Sequence, residues 1–90
     1  MITIHKYALN TDSEQVIEMP QGAMILSVHA QCGKPYIWVI VNTLGMIATR
    51  KINIALTGGN ITTRTMGKPI GTVLLGEDSF VIHVFDGGEV

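Results

Sequence analysis

Ninety residues amount to one domain, residues 1–90, and a unit this short buries only about 60–65% of the surface that its unfolded chain exposes. Hydrophobic residues make up 47% of the chain and charged ones 14%, against a usual charged share of about 25%, so few charges are left to cover the folded surface. The net charge is −1 and the six cations are scattered at Lys6, Lys34, Arg50, Lys51, Arg64 and Lys68, which excludes the basic footprint that duplex nucleic acid demands.

The apolar residues follow a two-residue period or form short runs bounded by Gly, Pro, Asn and Asp. Ile2 to Tyr7 alternates as a first strand, and Gln15 to Met19 is a second, stopped by Pro20-Gln21-Gly22. A third runs from Ala23 to Gln31, with Met24, Leu26, Val28 and Ala30 expected on one face and Ile25, Ser27, His29 and Gln31 on the other. Cys32-Gly33-Lys34-Pro35 reads as a hairpin connection. Tyr36 to Val41 follows, rich in β-branched and aromatic residues and apolar on both sides, which marks it as a central strand.

Asn42 to Met46 reads as a loop, Arg50 to Leu56 as a fifth strand, and Thr57-Gly58-Gly59-Asn60 as its end. Residues 60–69 show no period. Gly71 to Leu75 and Phe80 to Phe85 form the last two strands, joined by a turn at Gly76-Glu77-Asp78-Ser79. No 3.6-residue period is sustained, so a helix of more than one or two turns is not expected. About seven short strands make an all-β domain, a small antiparallel β-sandwich or partly open barrel.

Catalysis requires titratable groups brought together, and little points that way. His5, His29 and His83 fall on three different strands, and a lone Cys32 cannot build a thiolate cage, so neither a metal site nor any cofactor is expected. Cys32 follows His29 by three residues, a spacing that sends strand side chains to opposite faces. Glu77 and Asp78 sit in a turn, where acids are ordinary. The chain reads as a non-enzyme.

Binding is better represented. Thr57, Gly58 and Gly59 have the backbone freedom to wrap an anion, and Thr62, Thr63, Arg64 and Lys68 add hydroxyls and cations behind them; the same composition also suits a solvated connector. Tyr36 and Trp38 share a strand face. Trp38, mid-strand among Ile and Val, is expected in the core, whereas Tyr36 beside the turn is expected to be exposed, a stacking surface. One cysteine gives no reason to infer an oxidising compartment. The opening Met1-Ile2-Thr3-Ile4-His5-Lys6 lacks the basic-then-apolar order of a signal peptide, and no run reaches the roughly 20 apolar residues of a membrane helix. A cytoplasmic protein with no membrane partner is expected.

Ile4-His5-Lys6-Tyr7, Ile17-Glu18-Met19-Pro20-Gln21-Gly22-Ala23, Ile25-Leu26-Ser27-Val28, the Trp38 strand, Arg50, Ile70-Gly71-Thr72 and His83-Val84-Phe85 together resemble a family of small bacteriophage and prophage proteins known only as a domain of unknown function. The turn at Thr57-Gly58-Gly59-Asn60 departs from the Gly-Thr-Gly and more acidic linker of that pattern. The resemblance implies a phage-encoded protein and no catalytic residues. It suggests a stoichiometric accessory that counters host defence, sequestering a small nucleotide signal at the interfaces of a homo-oligomer, where Arg50, Arg64 and Lys68 supply charge and Tyr36 stacks. Direct inhibition of a host protein and a structural role in the virion are the other two readings.

Overall fold

The computed structural model describes residues 1–76 and 80–90, leaving aside the side chains of Thr63 and Arg64. Among the described residues seven strands form: β1 (Ile2–Ala8), β2 (Glu14–Pro20), β3 (Met24–Gln31), β4 (Lys34–Asn42), β5 (Ile47–Leu56), β6 (Lys68–Leu75) and β7 (Phe80–Glu89). A single helical turn, α1 (Thr63–Met66), precedes β6. The fold is all-β and antiparallel, as the alternation predicts. The turn expected at Glu77-Asp78-Ser79 lies outside the described residues.

The strands divide into two sheets, ordered β1-β4-β3 and β2-β5-β7-β6, which do not close into a barrel. Between them lies one core. From β4 it takes Ile37, Val39 and Val41, and from the other sheet Met19, Ile52, Ile54, Val73, Ile82 and Val84. These positions alternate along each strand, so every core residue leaves a neighbour facing outward. On β4 the outward neighbours are Tyr36, Trp38 and Ile40. Trp38 is therefore outside the core, half-buried on the outer surface of its sheet, because its parity is opposite to that of Ile37 and Val39.

The face expected for the third strand also needs correcting. Between Ile25 and Ser27 the register with β4 shifts, and Leu26 is the extra residue. Ile25 sits opposite Val39 and Val28 opposite Ile37, both on the core side. Without the bulge, residues three apart would point to opposite faces. Met24 and Leu26 are consequently left in water, and only Val28 of the expected apolar row is buried.

Turn chemistry follows the sequence. Cys32 and Gly33 are a two-residue hairpin loop with φ of 53° and 77°, the left-handed pair that the twist of two antiparallel strands favours. β6 starts at Lys68, three residues before the expected Gly71. Pro69 is tolerated there because β6 is an edge strand and its register shifts between Pro69 and Gly71. Among the described residues no helix is long and apolar enough to cross a membrane.

Candidate functional site

The outer surface of the β1-β4-β3 sheet can be read off its register. One row holds Ile4, Ile40 and Met24; the next Lys6, Trp38 and Ser27; the next Ala8, Tyr36 and His29; the last Lys34 and Gln31. Two halves result. Ile2, Ile4, Met24, Leu26 and Ile40 make one end apolar, with Ile2 73% and Met24 61% exposed. Trp38, Tyr36, His29, Lys6 and Lys34 make the other end aromatic and cationic.

The aromatic half is ordered by contacts among its own members. Tyr36 and Trp38 meet edge to face, with centroids 6.3 Å apart, and His29 meets Trp38 in the same manner at 5.6 Å. Lys6 places Nζ 4.7 Å from the centroid of Tyr36 and donates to Gln31 Oε1 at 2.6 Å. The seven acidic residues are Asp12, Glu14, Glu18, Glu77, Asp78, Asp86 and Glu89, and none belongs to β1, β3 or β4. This sheet therefore presents lysines with no carboxylate among its strands, whereas Glu14, Glu18, Asp86 and Glu89 belong to the strands of the other sheet. Rings and cations lying side by side are the arrangement that suits a flat anion.

Of the residues expected to bind, those whose side chains are described do not converge on one surface. Tyr36 lies on this surface. Arg50 does not: it points inward from β5 with the parity of Ile52 and Ile54 and is only 6% exposed. Its Nη1 donates to Asp86 Oδ2 at 2.9 Å, its Nη2 donates to the Ala23 carbonyl at 2.6 Å, and Glu89 lies 3.6 Å away. Among the described residues Nε is buried without a hydrogen-bond partner. Arg50 is a neutralised, enclosed cation that ties the β2–β3 turn to the end of β7, where Glu89 also accepts the Gly22 amide.

Thr57, Gly58, Gly59 and Thr62 lie on the segment after β5, which returns across the outside of the second sheet. Asn53, on the outer face of β5, donates from Nδ2 to the carbonyls of Thr65 and Met66 and holds α1 there. The Gly59 amide donates to the Leu56 carbonyl at 3.0 Å, and the Thr57 hydroxyl meets His83 Nε2 at 2.7 Å. His83 is bonded at Nδ1 by Thr72 as well. Two of the expected anion donors are thus engaged within the fold, and the side chains of Thr63 and Arg64 lie outside what is described. Lys68 stands on the rim of a separate cleft of about 460 Å³, lined also by Met24, Ile70 and Asp86.

Lys6, His29 and Lys34 are the members of the aromatic surface that sequence reasoning missed. Part of the signal was present: three strands share no acidic residue, and alternation places Lys34 on the parity of the β4 aromatics, whereas Lys6 joins them only through the register of β1 with β4. Among the described residues no three His, Cys, Asp or Glu side chains are grouped to hold a metal ion. A family model described as Domain of unknown function (DUF7352) matches residues 1–89. No curated protein and no solved structure matches the chain.

Proposed function

The chain belongs to the DUF7352 family, a domain of unknown function, and from that premise we propose that it is a non-catalytic binding protein which sequesters a nucleotide-type ligand on the outer face of its three-stranded sheet. One observation carries this reading: aromatic rings and lysines share a face whose strands contain no carboxylate. A base stacks on Trp38 and Tyr36, and Lys6 and Lys34 pair with phosphate oxygens. His29 steadies Trp38 by its edge contact. A phage-encoded origin, which the resemblance of the sequence implies, fits a stoichiometric accessory role against host defence in the host cytosol. The apolar half of the same face supports a second reading, direct blocking of a host protein.

Calorimetric titration with cyclic nucleotides, nucleoside diphosphates and nucleotide–ribose compounds tests the proposal. At least one is expected to bind, and Lys6→Gln to weaken it about tenfold by removing a charge-assisted bond. Lys6 is exposed, so the variant is expected to fold as the parent does. Uniform absence of heat across the panel overturns the nucleotide reading.

A further inference from the structure

An antiparallel sandwich of two open sheets has four edges, and natural proteins blunt such edges with proline, charge, bulges or cover. Three edges of this molecule carry those devices. β3 is bulged at Leu26 and packs alongside β6. β6 has Pro69 and its own bulge, and β2 ends in Pro20 and carries Glu14 and Glu18. β1 is different. It runs seven residues in unbroken register with β4, contains no Pro, Gly or bulge, and has Lys6 as its only Lys, Arg, Asp or Glu.

The free hydrogen-bonding groups of β1 can be assigned from its ends. The Thr43 amide donates to the Met1 carbonyl and the Leu9 amide to the Pro35 carbonyl, both at 2.9 Å. In an antiparallel ladder the bonded positions alternate, so odd-numbered residues of β1 bond to β4. The amides and carbonyls of Ile2, Ile4, Lys6 and Ala8 therefore point to the open side. Ile2 and Ile4, 73% and 55% exposed, stand above that open row.

We propose that β1 pairs with β1 of a second copy, antiparallel about a two-fold axis through His5, to make a dimer with a continuous six-stranded sheet. Full overlap sets Ile2 opposite Ala8 and Ile4 opposite Lys6 of the other copy, so every outward amide and carbonyl of the strand finds a partner and neither lysine faces a lysine. Stacking the two sheets face to face would instead press four lysines together with no carboxylate from either sheet, and the charge pattern selects the edge. The second copy fits because the strand is complementary to itself in this register. Joining the edges also places both aromatic surfaces on one side of a single sheet.

The native mass measured by light scattering tests this, with His5 as the lever. Its side chain is exposed and lies on the axis, facing its own counterpart. The parent chain is expected at the mass of two 9.7 kDa chains. His5→Lys and His5→Asp, each folded by circular dichroism, are expected as single chains, with dissociation constants raised about tenfold or more by like charges directly opposed. A one-to-one mixture of the two variants is expected to regain the paired mass. A parent of single-chain mass at every concentration, or a paired mass that His5→Lys leaves unchanged, overturns the proposal. Neither result bears on the nucleotide reading, which calorimetry on the same variants reads separately.

Discussion

Arg50→Met is expected to lower the unfolding free energy by about 3 kcal/mol, the low end of the range for removing one partner of a buried pair. The low end applies because Asp86 and Glu89 keep some contact with water, their side chains being 20% and 33% exposed. The loss has three parts. Asp86 loses the partner that neutralises it, the Ala23 carbonyl loses its donor, and Glu89 is left to hold the Gly22 amide alone. For a domain of this size that corresponds to a fall of roughly 12–24 °C in Tm. Urea denaturation followed by circular dichroism measures it. A loss under about 1 kcal/mol would show that the guanidinium is not the pin between the β2–β3 turn and β7. Arg50→Lys is expected to recover only part of the stability, because an ammonium cannot span Asp86 and Ala23 as the planar fork does.

Gly67→Ala is expected to cost about as much, for a steric reason. Gly67 has φ of 93°, and a β-carbon there would overlap the Asp86 carbonyl oxygen and come within 2.8 Å of Gly87 Cα. Both are backbone atoms of β7, so relief requires the connection from α1 to β6 to move. That movement breaks the bonds from Asn53 to Thr65 and Met66. Positive φ alone accounts for about 1 kcal/mol and the overlap for about 2 more. Gly33→Ala separates the two terms, since its φ is 77° and no atom lies within 4 Å of the added carbon. It is expected to cost about 1 kcal/mol. Equal losses at the two positions would show that the approach to Asp86 carries no weight.

Much of the fold was legible because strand periodicity is a local property. The strands, the hairpin at Cys32-Gly33 and the central place of β4 all follow from alternation and turn residues. What alternation cannot reveal is which side of a strand another sheet covers. The two-sided apolar character of β4 reads as burial on both faces, yet one face holds Ile37, Val39 and Val41 and the other remains open. Trp38, mid-strand among Ile and Val, reads as a core residue for want of that information. The bulge at Leu26 was illegible too, since it is defined by register with a partner strand.

Arg50 illustrates a different kind of miss. A cation near a strand's beginning invites a role in binding, but its parity with Ile52 and Ile54 already directs it inward. The Ala23 carbonyl together with Asp86 and Glu89, the two acids more than thirty residues on, makes that position tolerable, and their approach is a tertiary fact. The segment from Thr57 to Lys68 had the composition of an anion loop. Its hydroxyl and amide at Thr57 and Gly59 are instead taken up by His83 and Leu56, neighbours that the topology supplies.

The surface proposed for binding contains the chain's one tryptophan, so its occupancy has a direct optical signal. Trp38 emission followed through a titration with the nucleotide panel is predicted to change and saturate with one ligand per subunit, and the change to shift to higher ligand concentration in Lys6→Gln. Emission that stays constant while calorimetry registers binding would place the ligand elsewhere and contradict the assignment of the aromatic face.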